Sequence, residues 1–233
     1  VRGLLLVLEG PEGVGKTTQA AALADRLRAT GRSVLAFREP GGTPLGDAIR
    51  ALVLRPDQAP VAPRAEALLF MAARAQLADE LRRHLTGGAL VVLDRFFLST
   101  YAYQIAGRAL PADDVRRANA LAVGELRPDL TLLLTVAPER ARARMLARGG
   151  LDRMEREDAA FHARVAAAFE RAADPAWQAA HPEVGPVARV DADGPPEAVT
   201  ARIVDALAAR WPETFRSLAE SQYVGPQSSS SPG

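Results

Sequence analysis

Short apolar runs alternate along the chain with stretches whose apolar residues recur at helical spacing. Leu4–Glu9 reads as a strand buried on both faces, as parallel strands are. Ser33–Phe37, Leu90–Leu93, Leu130–Val136 and Val187–Val190 repeat the pattern. Between them the spacing predicts helices over Lys16–Arg28, Thr43–Leu54 with Thr43 as N-cap, Arg64–Leu85, Ser99–Ile105, Asp113–Leu126 and Pro138–Arg148. Helices are also expected over Asp158–Ala173 and Pro195–Arg210, and a loop over Pro56–Pro63. Five strands alternating with helices give an α/β fold with a mostly parallel sheet. No internal repeat is present. Residues 1–211 read as one domain. Residues 212–233, where the pattern fades into the low-complexity Gln227–Gly233, read as a largely disordered tail.

Ligands in such sheets sit at the carboxyl ends of the strands. The loops after Glu9, Phe37 and Leu93 are where the chemistry is expected.

Composition narrows the classes. At 233 residues the chain fits one domain. A net charge of +1 lacks the basic excess of a general nucleic-acid or membrane binder. Without cysteine there is no disulfide, thiolate zinc site or cysteine nucleophile. His84, His162 and His181 are scattered without metal-ligand spacing. The apolar runs are too short to span a bilayer, and Glu9 interrupts the first before a signal-peptide core could form. The expectation is a cytoplasmic protein.

Of the 29 Lys and Arg residues, Lys16 is the sole lysine. In a chain this biased toward arginine, it marks a place where a slim point charge is needed rather than a planar fork. It stands in Gly10-Pro11-Glu12-Gly13-Val14-Gly15-Lys16-Thr17, followed by Thr18, a full match to G-x-x-x-x-G-K-[ST]. Such a loop wraps backbone N–H groups around phosphates at a helix N-terminus. Its lysine reaches the β- and γ-phosphates, and its Thr17 hydroxyl ligates Mg²⁺. The motif indicates a nucleoside triphosphate, ATP in the favoured reading. A GTPase would need a second lysine in its base-reading motif. A small-molecule kinase and an ATPase driving a partner remain.

Asp94 at a strand end can hold Mg²⁺ through water, and Arg95 can fork onto a phosphate, although an Asp-Arg pair is common in an Arg-rich surface. Arg38-Glu39-Pro40-Gly41-Gly42 suits a binding loop. Phe70 and Arg74 share a helix face, where a stacking platform and a core pair are both admissible.

The segments EGPEGVGKTTQ, REPGGTPLGDAIR, AEALLFMAARAQ, DRFFLSTYAYQ, RPDLTLLL and ARGGLDRME occur in this order. Together they resemble the successive blocks of bacterial thymidylate kinase, which phosphorylates dTMP with ATP. The resemblance runs from about Leu4 to Arg210. It implies the P-loop nucleoside monophosphate kinase fold, a five-stranded parallel sheet flanked by helices, and a homodimer. Another deoxynucleoside monophosphate kinase is the runner-up.

By that resemblance Glu12 faces the acceptor 3′-hydroxyl, Arg38 and Arg50 lie near the transferring phosphate, and Arg95 grips the dTMP phosphate beside Ser99. Phe70 stacks on thymine, while Arg74, Thr100 and Gln104 approach its polar edge. Tyr103 packs where a ribose 2′-hydroxyl would project. Residues 149–157 form a lid over ATP. Family members carry a catalytic arginine in the P-loop or in the lid. Gly13 leaves the lid to supply it, with Arg153 the first choice and Arg148 the second. The chain departs from the family pattern at Thr135, usually Asp, at Phe96, usually Tyr or His, and in its extended C-terminus.

Overall fold

The computed structural model describes residues 2–57 and 59–220. The expected disorder of 221–233 lies outside them. β1 (Leu5–Glu9), α1 (Lys16–Arg28), β2 (Val34–Arg38), α2 (Pro44–Leu54), α3 (Pro63–Thr86) and β3 (Leu90–Asp94) come first. A short turn α4 (Phe97–Ser99) runs into a π-helix over Thr100–Gly107. Then follow α5 (Ala112–Val123), β4 (Leu130–Thr135), α6 (Pro138–Arg148), α7 (Ala159–Arg171), α8 (Pro175–Ala180) and a 3₁₀ turn Pro182–Val184. β5 (Val187–Asp191), α9 (Pro196–Arg210) and α10 (Pro212–Glu220) close the described chain.

All five strands are parallel, in the order β2-β3-β1-β4-β5. Period-two alternation divides the core between the two faces of the sheet. Leu5 and Val7 face Leu77 and Leu81 of α3 with Phe161 and Phe169 of α7. Leu6 and Leu8 face Leu23 and Leu27 of α1 with Ile203 and Leu207 of α9. The chain leaves β1 toward one edge and β3 toward the other, so the crevice at their carboxyl ends is the topological switch point. The P-loop follows β1, and Asp94-Arg95 ends β3.

Three expectations are corrected. Residues 212–220 are not a disordered tail. Pro212 opens α10, whose Phe215 and Leu218, three apart, are buried against the α1/α9 layer. The helix expected over Ser99–Ile105 is mostly π-helical, as in the Arg108 N–H to Tyr103 carbonyl bond of 2.9 Å across five residues. α8 lies where no helix was expected; Asp174 caps it and accepts from the Ala176 N–H at 2.7 Å.

Candidate active site

A cavity of about 660 Å³ occupies the crevice. It runs from the P-loop past the ends of β2 and β3 to α3 and the π-helix, under the segment following α6. Basic side chains outnumber acidic ones along its wall, which suits polyanionic ligands.

The P-loop end is built for phosphate. Gly15 caps α1 at φ 94°, no side chain caps that end, and the first turn holds no acidic residue. Its N–H groups and dipole are therefore free for an anion. A Cβ on Gly13 would lie 2.0 Å from the Ala141 carbonyl oxygen of α6, so this position admits no side chain. Lys16 is 6% exposed and donates to the Pro11 carbonyl at 2.7 Å. Burial, and next the Arg95 charge, push its amine down to about 8. Thr18 also lines the cavity, whereas Val14 packs into the core.

Thr17 Oγ1 donates to Asp94 Oδ2 at 2.6 Å, while Asp94 Oδ1 is buried without a hydrogen-bond partner. A hydroxyl oxygen beside an orphaned carboxylate oxygen fits Mg²⁺ arriving with a triphosphate, which supplies the remaining oxygens. Among the described residues no cluster of three or more His, Cys, Asp or Glu side chains could hold a metal unaided.

Across the crevice, Arg95 donates to Glu12 Oε1 at 2.5 Å, to Ser99 Oγ at 2.9 Å and to the Gly10 carbonyl at 3.3 Å. Tyr103 Oη donates to the same Glu12 oxygen at 2.8 Å. Burial alone would raise the Glu12 carboxyl. The Arg95 and Lys16 charges and these hydrogen bonds outweigh it and bring it to about 2. Arg95 holds a left-handed φ of 72°, a conformation costing roughly 1–3 kcal/mol for a non-glycine residue. Glu9, fully buried at the end of β1, fixes the surrounding loop. Its Oε1 accepts from the Phe96 and Ser99 N–H groups at 2.7 and 3.1 Å, and its Oε2 from Ser99 Oγ at 2.7 Å. Neither Glu9 nor its role stood out in the sequence, where it reads as the last residue of a strand.

Arg38 and Arg50 reach the cavity from the end of β2 and from α2. Arg50 donates to the Pro40 carbonyl at 3.0 Å. Phe70, Thr100, Tyr103 and Gln104 line the far end together.

Arg74 lines it too, and protein groups hold it from several sides. Its Nε donates to Glu39 Oε2 at 2.8 Å and its Nη2 to the Phe96 carbonyl at 2.9 Å, with Nη2 also 2.6 Å from Glu39 Oε2. Its Nη1 donates to Thr100 Oγ1 and Asn119 Oδ1, each at 2.6 Å. Four of its five guanidinium N–H groups are thus hydrogen-bonded within the protein. Glu39 and Asn119, the partners that immobilise Arg74, were not singled out as site residues. Burial raises the Glu39 carboxyl, and its second oxygen has no partner.

The lid segment places its two arginines differently. Arg148 lines the cavity, keeps 57% of its side chain exposed and pairs with Glu155. Arg153 is absent from the cavity wall. Its Nη2 lies 2.5 Å from Glu66 Oε2 and its Nε donates to the Val53 carbonyl at 2.7 Å. The buried Glu66 carboxylate holds it behind the cavity wall, a partner that spacing alone does not disclose. Arg144, Asp152 and Met154, unassigned from the sequence, also line the cavity.

A family model described as thymidylate kinase matches residues 8–192. The chain is 41% identical over 204 residues to a thymidylate kinase of an Exiguobacterium species, covering 87% of this chain and 93% of that protein. It is 49% identical over 168 residues to one from Pseudomonas fluorescens, covering 72% and 80%. A Synechococcus thymidylate kinase is 44% identical over 210 residues, covering 90% and 96%.

Proposed function

Because the chain belongs to the thymidylate kinase family, we propose that it transfers the γ-phosphoryl group of ATP to the phosphate of dTMP, giving ADP and dTDP. The observation that carries this reading is one continuous cavity with a phosphate cradle at one end and Phe70, Tyr103 and Gln104 at the other. Arg95 stands between the two ends. A P-loop ATPase driving a partner protein would have no use for the second end.

Phosphoryl transfer needs positioning and charge neutralisation rather than a covalent enzyme intermediate. Gly10–Thr18 wraps the ATP phosphates, with Lys16 against their charge. Thr17 and Asp94 would hold Mg²⁺, which would supply charge neutralisation at the phosphate oxygens. Arg95 grips the acceptor phosphate, with Arg38 and Arg50 beside it, and Glu12 takes the deoxyribose 3′-hydroxyl. Phe70 supplies the face for thymine, Thr100 and Gln104 meet its edge, and Tyr103 closes the space a 2′-hydroxyl would need. Arg74, on the same wall, braces it through Glu39, Thr100 and Asn119 and stands by the polar edge of the base.

The lack of room for a side chain at Gly13 supports a lid arginine, and exposure on the cavity wall supports Arg148 in that role rather than Arg153. Lid closure would exclude water from the transfer. The reading further has the enzyme as a cytoplasmic homodimer. Exposed Leu45 and Leu52 on α2 and Leu68 on α3 supply apolar surface for a second copy. Among the described residues no helix is long and apolar enough to cross a membrane.

The test is ADP release measured across the common nucleoside monophosphates. The expected outcome is a rate that depends on dTMP and is highest with it. A different best acceptor, or equal ATP hydrolysis without an acceptor, would overturn the reading.

A further inference from the structure

Glu66 lies in the first turn of α3 and is fully buried behind the cavity wall. Its two oxygens collect donors from three places. Oε1 accepts from Gln104 Nε2 at 3.3 Å and Arg108 Nε at 3.1 Å; Oε2 accepts from Arg108 Nη2 at 3.0 Å and Arg153 Nη2 at 2.5 Å. Glu157 lies 2.5 Å from Arg108 Nη2 and 4.0 Å from Arg153 Nη1, which keeps both guanidiniums in place. Arg108 also stacks over Phe161, 4.8 Å from its ring centroid.

The consequence falls on Gln104, which is 3% exposed and does line the cavity. The two ends of a glutamine amide are nearly equal in shape and opposite in hydrogen bonding, so its partners decide which way it faces. An ion-paired carboxylate only accepts. Glu66 therefore takes the amide NH₂ and leaves the Gln104 carbonyl oxygen on the cavity side. We infer that Glu66, clamped between Arg108 and Arg153, is a positioning residue that makes Gln104 present an acceptor to the base. A pyrimidine whose ring nitrogen N3 carries a proton is then taken, and cytosine, whose N3 carries a lone pair, is refused.

The inference rests on the pyrimidine-monophosphate reading above and adds the group that sets its selectivity. It also gives Arg153 a function away from the transferring phosphate, as part of the clamp that ties the lid to α3 and the end of α2. A neutral amide at position 66 could donate as well as accept, and Gln104 would lose its fixed sense. Buried sites that hydrogen-bond a substrate discriminate strongly because a mismatched partner leaves polar groups unpaired.

The experiment compares kcat/KM for dTMP and dCMP in the wild type and in Glu66→Gln. The dTMP/dCMP ratio is expected to fall at least tenfold in the variant. Loss of folded enzyme would lower both values together and leave their ratio unchanged. A ratio within twofold of wild type in a folded Glu66→Gln protein overturns the inference and leaves the kinase reading standing. A wild type that uses dCMP as well as dTMP overturns both. Should Glu66→Gln fail to fold, the wild type decides by ¹⁵N NMR of the Gln104 side-chain amide, assigned by its loss in Gln104→Met. Its NH₂ protons are expected to be protected from solvent exchange before dTMP is added as well as after, because Glu66 holds them; protection that arises only with dTMP would show the amide turned toward the base and refute the inference.

Discussion

Replacing Lys16 with methionine should abolish phosphoryl transfer and, at the same time, stabilise the ligand-free protein. The amine is 6% exposed, and burial with the neighbouring Arg95 charge brings it from 10.5 to about 8. Holding the charged form in the fold at pH 7 thus costs roughly 3 kcal/mol relative to the unfolded chain. Methionine fills similar space without charge. It forfeits the bond to the Pro11 carbonyl, worth about 1 kcal/mol, leaving a net gain of roughly 2 kcal/mol. For a domain of this size that raises Tm by roughly 4–8 °C. The pH dependence fixes the sign. Between about 8 and 10.5 the unfolded chain binds the proton and the folded one does not, so wild-type stability rises with pH through that window. The variant lacks this gain, and its advantage should be full below pH 8 and shrink by most of its size near pH 10. Calorimetry at pH 7 and pH 10 measures it. Saturating ATP should stabilise the wild type far more than the variant. A Lys16→Met protein that melts at or below wild type at pH 7, with no change in the gap at pH 10, would refute the buried-charge argument. Retained turnover would refute the phosphate-cradle argument.

Arg148→Ala should lower kcat much more than it raises KM for dTMP, because its charge is needed chiefly in the transition state. Arg153→Ala should act mainly on the dTMP/dCMP ratio, and steady-state kinetics giving the opposite pattern would restore Arg153 to the transferring phosphate. Tyr103→Ala should increase use of the ribose form of TMP relative to dTMP, since the ring held by Glu12 fills the 2′ position; an unchanged ratio would remove that steric role. Phe215→Ala should destabilise the fold by roughly 3–5 kcal/mol in denaturant unfolding while leaving KM values unchanged, because Phe215 is 1% exposed and far from the cavity wall.

What could be read from the sequence was what local spacing determines. Leu4–Glu9 and Leu130–Val136 announced buried parallel strands because both faces of each are covered, and the structure pairs β1 with β4 across them. Thr43 announced its cap, and accepts from the Gly46 N–H at 3.0 Å. The P-loop could be read in full because its function lies in backbone N–H groups and one lysine within a single turn. Spacing failed where a side chain had a choice of directions. Four donors of Arg74 are taken by groups from the ends of β2 and β3, the π-helix and α5, none of which is its neighbour in sequence. Arg148 and Arg153 stand five residues apart in one charged segment, and their partners, Glu155 for the first and the buried Glu66 for the second, tell them apart. The π-helix was hidden because its composition is that of an ordinary helix. Its crowding against α7, where a Cβ on Gly107 would meet Phe161 at 2.6 Å, belongs to the packed state alone.

Glu66 sharpens the distinction. A glutamate in the first turn of a helix normally reads as a partner for the helix dipole, a surface role needing no other explanation. Here it is fully buried, and the same helix carries Phe70 one turn later and Arg74 two turns later. One face of α3 therefore holds the proposed base platform, an arginine of the cavity wall and the carboxylate that receives the Gln104 amide. The i, i+4, i+8 spacing discloses the shared face. Only burial separates the dipole partner from the specificity device, because a buried carboxylate must be matched by donors, and those donors are then no longer free to turn.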